Sequence, residues 1–517
     1  MEYLLGIDIG TSGTKTVLFD TGGNSISSAT AEYPLYQPRI GWAEQDPEDW
    51  WKAVCETVSS VLKQSGAKPG NIKGIGLSGQ MHGLVLLDKG NNVLRRSIIW
   101  CDQRSGKECD EITRCVGAER LISITANPAL TGFTASKILW VRNNEPEIYL
   151  GINKILLPKD YIRFRLTGVF ATDVSDASGM QLLNIRTRRW SREMLEKLEI
   201  KREWLGEVFE SCENTGAVTK KAAEATGLAR GTIVAGGAGD QAAGAVGNGI
   251  VQEGIISSTI GTSGVVFAHM NKVEIDMKGR VHTFCHAVPG CWHVMGVTQG
   301  AGLSLKWFRD NFCADEKKAA ELMGVDPYVL MDKEAAGIAP GAEGVLYLPY
   351  LMGERTPHLD PYAKAVFFGI SAAHTKAHML RAVMEGVAYS LRDCMEIIRG
   401  MGIDAAQVRA SGGGGRSPLW RQMQADMFNA DICTINSGEG PALGAAILAG
   451  VASGVYPDVV SACNSIISVR DTLVPDPGAT EIYDKYYEIY KNLYAHLKND
   501  YRDLAELMEG LDEAKGI

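Results

Sequence analysis

The chain has 517 residues, more than one hydrophobic core ordinarily organises, so two large domains with an active-site cleft between them are expected. A composition of 45% hydrophobic and 22% charged residues excludes a largely disordered chain, and a net charge of -9 offers no basic surface to nucleic acid or an anionic membrane. A small neutral substrate suits that balance. No stretch approaches the roughly 20 apolar residues of a membrane span, the opening Met1-Glu2-Tyr3-Leu4-Leu5-Gly6 has no basic region followed by a long apolar run, and eleven cysteines at irregular spacings read as reduced thiols, so a cytoplasmic protein is expected.

Tyr3 to Ile9, Thr14 to Phe19 and Ser25 to Leu35 read as three strands joined by tight turns, an antiparallel meander. Asp46-Pro47-Glu48-Asp49 opens a helix whose apolar periodicity stops around Gly66. Two short strands follow near Ile72 to Leu77 and Leu84 to Leu87. Strands and helices then alternate to Thr232-Ile233-Val234-Ala235 and the small-residue run Gly236 to Gly249, which places the domain division at 1–247 and 248–517. Beyond it the opening pattern returns: Ile255 to Ile260, a Gly261-Thr262-Ser263-Gly264 turn, and a strand from Val265 to Ala268. Because Gly10-Thr11-Ser12-Gly13 also joins two strands, each half opens in the same way, and two related α/β domains are inferred. A long helix is predicted from about Lys376 to Arg399, a Gly-rich loop at Gly412 to Gly415, and a charged helix over Ile482 to Leu511.

The tip Asp8-Ile9-Gly10-Thr11-Ser12-Gly13-Thr14-Lys15 gathers backbone N–H groups and hydroxyls above a carboxylate. Such a tip suits phosphate oxygens, with Asp8 placed for a hydrated magnesium ion; a plain hairpin needs no ligand, but two copies facing a cleft would form a phosphate clamp. The only Gly-Lys pair, Gly106-Lys107, is followed by Glu108, which excludes a Walker-type loop. Gly74-Ile75-Gly76-Leu77-Ser78-Gly79 has dinucleotide-binding spacing but lies in a strand that leads to another strand, where that motif requires a helix.

Asp240 ends an apolar strand among Gly236, Gly237, Ala238, Gly239, Ala242 and Ala243, residues too small to block a ligand. It could take a proton from a substrate hydroxyl during phosphoryl transfer, and it could equally cap the small-residue helix that follows. Gln80-Met81-His82-Gly83 could grip a polyol or be a structural turn. The same two readings apply to Trp100-Cys101-Asp102-Gln103-Arg104. The glycines Gly412 to Gly415 would let a nucleotide lie on bare backbone. His282, Cys285, His286, Cys291 and His293 fit no standard zinc spacing.

These stretches, with Leu157-Pro158-Lys159-Asp160-Tyr161, Asp173 to Gly179 and Gly353-Glu354-Arg355-Thr356-Pro357-His358, occur in the order seen in the FGGY carbohydrate kinases, which the chain resembles over residues 1 to about 455. The resemblance implies a duplicated actin-like, ribonuclease-H-type fold and transfer of the γ-phosphate of Mg-ATP to a small ketose, D-xylulose first and ribulose or another polyol next. It also implies Asp240 as the base, Asp8 as the carboxylate near metal and phosphate, and Met81 and His82 as sugar contacts. Thr11, Ser12, Gly261, Thr262, Gly413 and Gly414 then hold ATP, and a homodimer is the family-based expectation. Gln241 stands where many relatives have Asn, and Cys101 and Gln103 where Asn and Gly are frequent, which bears on sugar identity. An actin- or chaperone-like ATPase is the rival from another class.

Overall fold

The computed structural model describes residues 1–515 and the side chains of residues 1–508. In chain order its principal strands are β1 (Tyr3–Ile9), β2 (Gly13–Asp20), β3 (Ser25–Glu32), β4 (Ile72–Gly79), β5 (Ile233–Ala235), β6 (Ile255–Ile260), β7 (Gly264–Met270), β8 (Trp292–Thr298), β9 (Gln407–Gly412) and β10 (Asp431–Ile435). The helices that matter below are α1 (Pro47–Ser65), α2 (Pro158–Thr167), α3 (Asp240–Gly247), α4 (Ala301–Phe312), α5 (Gly440–Ala452) and α6 (Pro477–Lys515).

One sheet runs β3-β2-β1-β4-β5 and the other β8-β7-β6-β9-β10. In each, the first strand pairs antiparallel with the second and parallel with the fourth, as in Ile7↔Thr16 and Ile7↔Leu77, then Ser258↔Val266 and Ser258↔Ala410. Both sheets therefore carry the same meander followed by parallel strands, the ribonuclease-H-type order, and the expected duplication is present. The local signals were also well placed. The Asp46 side chain accepts from the Glu48 N–H at the start of α1, and Gly66 ends it in the left-handed region. The helix expected from Lys376 to Arg399 spans Lys376–Gly400.

Packing groups the chain differently from its linear order. One compact unit comprises Met1–Gln252, His269–His293 and Ser437–Ser468; the other comprises Glu253–Ala268, Val294–Asn436 and Val469–Ile517. In the first, Leu5, Ile7 and Ile9 of β1 pack with Val54, Val58 and Val61 of α1, all fully buried, each such side chain contributing about 1.5–3 kcal/mol. The opposite side of β1 and β4 is covered by α5, which approaches so closely that side chains are excluded. A Cβ on Gly6 would lie 2.0 Å from the Ala442 carbonyl oxygen, one on Gly76 1.8 Å from that of Ala445, and one on Gly74 2.7 Å from that of Ala449. The glycine spacing that mimics a dinucleotide motif in β4 is thus a helix-packing surface. Gly247 of α3 and Gly444 of α5 meet in the same way, each with its missing Cβ 1.8 Å from the other helix's backbone. Among the described residues no helix is long and apolar enough to cross a membrane.

Candidate active site

The turn between β1 and β2 is held by bonds that engage its carbonyls. Gly10 N–H donates to Gly13 O (3.0 Å), Tyr33 and Gln80 donate to Gly10 O, and Gln45 donates to Thr11 O (2.6 Å). The Trp100 indole donates to Thr11 Oγ1 at 2.9 Å, which brings the Trp100 loop to the tip. Thr11 and Ser12 are thus presented at the surface of a turn fixed from behind. At its base Asp8 accepts from Ser78 Oγ (2.8 Å). Burial raises the Asp8 carboxyl above the usual carboxylate range, against the pull of Ser78 and of Lys15, and Lys15 itself pairs with Glu439 at 2.5 Å.

Asp240 is the first residue of α3, and Gly239, with no side chain to offer, occupies the capping position. Asp240 is thus the first helical residue and not the cap of α3, and its carboxylate accepts from the free N–H of Gln241 in the first turn. Burial pushes that carboxyl up to about 7, and the negative charge of Asp8 pushes in the same direction, while the backbone and side chain of Gln241 hydrogen-bond it and pull it down. Gln241 therefore touches the candidate base directly.

Met81 lies beside the backbone that leads into Asp240, and His82 beside Gly179. A Cβ on Gly239 would come within 2.8 Å of Met81 Cγ, and one on Gly179 within 2.5 Å of the His82 ring. His82 has φ +69, a strained value for a side chain of its size. It is held there by Lys137 Nζ (2.9 Å) and Thr134 Oγ1 (3.1 Å), both donating to its carbonyl, and its Nδ1 lies 2.9 Å from Gly179 O. Lys137 is fully buried and donates also to Gly132 O (2.7 Å); burial lowers its pKa to about 7. The Phe133 ring meets the imidazole edge-on at 4.7 Å.

Beneath these residues lies a charge cluster that the sequence alone did not reveal. Lys159 Nζ sits 2.7 Å from Asp160, 2.7 Å from Asp173 and 3.2 Å from Asp176, and Arg163 pairs with Asp160 at 2.6 Å. All five side chains are buried. Asp160 is held below the ordinary carboxylate range by the two cations against the cost of burial, and Asp176 is driven well above it by burial. Lys159-Asp160 and Asp173 to Gly179 stood out in the sequence as motifs, but nothing local shows that they converge.

In the second unit a cavity of about 550 Å³ is lined by Gly261, Thr262, Gly302, Gly413, Gly414 and Tyr328, among others, a volume suited to a nucleotide-sized ligand. The second Gly-Thr-Ser-Gly turn forms one wall. Gly261 N–H donates to Ser263 O (3.0 Å), one residue nearer than the acceptor of Gly10 in the first turn, and the turn's carbonyls accept from Gly302 and Leu303 at the start of α4. Four of the predicted nucleotide residues, Gly261, Thr262, Gly413 and Gly414, are thus brought to one cavity, while Thr11 and Ser12 belong to the first unit. Tyr328 and Asp332 complete the lining without any sequence signal. Glu354 takes no part in it: it accepts from Thr298 Oγ1 (2.6 Å) and from the N–H groups of Gln299 and Arg355, with its carboxyl raised to about 7 by burial.

Asp102 proves structural, accepting from Ala43 N–H and chelated by Arg104. His282, His286 and His293 are buried, the last two meeting edge-on at 5.7 Å, with His286 Nε2 at 3.0 Å from Ile250 O and its Nδ1 accepting from Val288 N–H. Among the described residues no three His, Cys, Asp or Glu side chains are grouped as a metal site.

Residues 3–247 match the N-terminal domain, and residues 256–453 the C-terminal domain, of the FGGY family of carbohydrate kinases. A Bacillus subtilis protein named xylulose kinase is 39% identical over 96% of this chain and 98% of its own. A Bacillus licheniformis gluconokinase is 33% identical over 99% of this chain and the whole of its own. The crystal structure of ligand-bound xylulose kinase from Lactobacillus acidophilus superposes with a TM-score of 0.91 at 28% identity, covering 98% of this chain and all of that one. Two related α/β units, each opening on a Gly-Thr-Ser-Gly turn, with a near-neutral Asp and a glycine-walled cavity, sit on a chain that belongs to the FGGY family of carbohydrate kinases.

Proposed function

We propose that the protein transfers the γ-phosphoryl group of ATP to the C5 hydroxyl of D-xylulose, with Asp240 as the base. The observation that carries this reading is the Asp240 carboxyl: at about 7 it is poised to accept a hydroxyl proton near neutral pH, on a backbone that packs against Met81. As the C5 oxygen attacks the γ-phosphorus, its proton passes to Asp240, the bond to the β-phosphate bridging oxygen breaks, and ADP leaves. General-base assistance of this kind contributes about 10²–10⁴-fold.

Thr11 and Ser12 on one turn, and Thr262 with Gly413 and Gly414 around the cavity, are assigned to the phosphates and adenosine. Magnesium would neutralise charge on the transferring phosphoryl group. Its hard preference for oxygen, and its retention of several waters, suit a single half-buried carboxylate such as Asp8, with phosphate and water supplying the remaining ligands.

The test is the initial rate of ADP release with Mg-ATP across D-xylulose, L-xylulose, D-ribulose, L-ribulose, glycerol, gluconate and no sugar. D-xylulose should give by far the largest kcat/KM. A larger value for another sugar would change the acceptor, and release that no sugar stimulates would overturn the kinase reading of Asp240.

A further inference from the structure

The segment Gly236-Gly237-Ala238-Gly239 that carries Asp240 has almost no side chains, so side-chain packing cannot fix its position; only its backbone groups offer a hold. Ala238 and Gly239 pair in parallel with Ser78 and Gly79 of β4, and the groups on the other side are taken one by one. Arg163 donates to Gly236 O, Gly237 N–H donates to Ser211 O (2.9 Å), and Gly239 N–H donates to Ser175 Oγ (3.2 Å). Ser175 Oγ in turn donates to Asp173 Oδ2 (2.6 Å), which also accepts from Ser175 N–H (2.8 Å) and Ser211 Oγ (2.7 Å), while Asp173 Oδ1 faces Lys159. Arg163 is anchored through Asp160, which shares Lys159.

Burying five ionisable side chains is expensive, and well-packed apolar residues commonly match such a cluster in stability. Its bonds lead out at both ends of the segment, to Gly236 and Gly239, and the residue beyond Gly239 is Asp240. We propose that the buried cluster of Lys159, Arg163, Asp160 and Asp173, acting through Ser175, is the positioning device for Asp240. None of these side chains is a catalytic residue; they fix the backbone on which the carboxylate is mounted. The inference rests on Asp240 being the base.

Ser175→Ala removes the hydroxyl to which Gly239 N–H donates, and it leaves the cluster's charges paired. Ser211→Ala removes an equally buried hydroxyl from the same Asp173 oxygen without touching Gly239, and serves as the matched comparison. Ser175→Ala is expected to lower kcat by at least about tenfold with KM for ATP unchanged, since small misplacements of a reacting group are costly in rate. Hydrogen exchange at the Gly239 amide should accelerate in this variant alone. A kcat within about twofold of wild type, or parallel losses of rate and Tm in both variants, would overturn the proposal. A wild-type protein inactive on every ketose would sink the function proposed above, and Gly239 exchange, which needs no turnover, would still decide the clamp: unchanged protection in Ser175→Ala overturns it.

Discussion

Replacing Asp240 by Asn should abolish turnover and stabilise the protein, and the size of the second effect can be worked out. Its carboxyl stands at about 7 in the fold and near 3.8 in an unfolded chain. Between those values the folded state holds a proton that the unfolded state has lost, so stability falls as pH rises through 3.8 and the loss is complete above about 7. With each tenfold change in acidity worth about 1.36 kcal/mol, the ionised carboxylate costs at most about 4 kcal/mol at pH 8. Partial solvent access of the side chain reduces this to about 1–3 kcal/mol. Asparagine carries no such penalty, so Asp240→Asn should melt about 2–6 °C above wild type at pH 8. The gain should shrink to less than half at pH 5 and vanish near pH 3. Calorimetry at the three pH values, beside kcat for ADP release, reads both effects. An equal gain at every pH would show that the carboxylate is not destabilised by its surroundings, and kcat reduced less than about tenfold would remove Asp240 from proton transfer.

The wild-type kcat/KM for ketose should fall about tenfold per pH unit below about 7, as Asp240 becomes protonated; a flat profile down to pH 5 would contradict the raised carboxyl. Gly302→Ala places a Cβ 2.3 Å from Gly261 O, so the second Gly-Thr-Ser-Gly turn must shift. KM for ATP should rise about tenfold with KM for ketose little changed, and an unaltered ATP KM would separate this turn from the nucleotide. Lys137→Met removes a buried donor from the His82 carbonyl, worth about 0.5–1.5 kcal/mol. The expected outcome is a rise of about tenfold or more in ketose KM with ATP KM preserved; a fall in Tm with both KM values intact would confine Lys137 to stability.

What the sequence disclosed was local. Each strand-turn-strand opening, the Asp46 and Gly66 limits of α1, and the small-residue setting of Asp240 depend on neighbours along the chain, and all were readable there. The candidate base, Asp240, was visible because its neighbours are conspicuously small. Long-range pairing was not visible. Lys159-Asp160 and Asp173 to Asp176 stand out as separate motifs, and nothing along the chain shows that α2 folds the one against the other. Gly74 and Gly76 looked like a ligand loop set in the wrong element, because the partner that requires them, α5, lies more than three hundred residues away in sequence. Tyr328 gave no signal at all, since its role at the cavity depends on the fold of the second unit alone.

The route of the chain also sets a timetable for its birth on the ribosome. Residues 1–252 hold most of the first unit, yet the helix that covers β1 and β4 is not made until Gly440–Ala452. At synthesis rates of about 5–20 residues per second, the intervening stretch of about two hundred residues takes on the order of 10–40 seconds to emerge. Throughout that interval the bare face of glycine and apolar strand waits uncovered, open to chaperones and to other nascent chains. The unit that carries Asp240 is begun first and finished almost last.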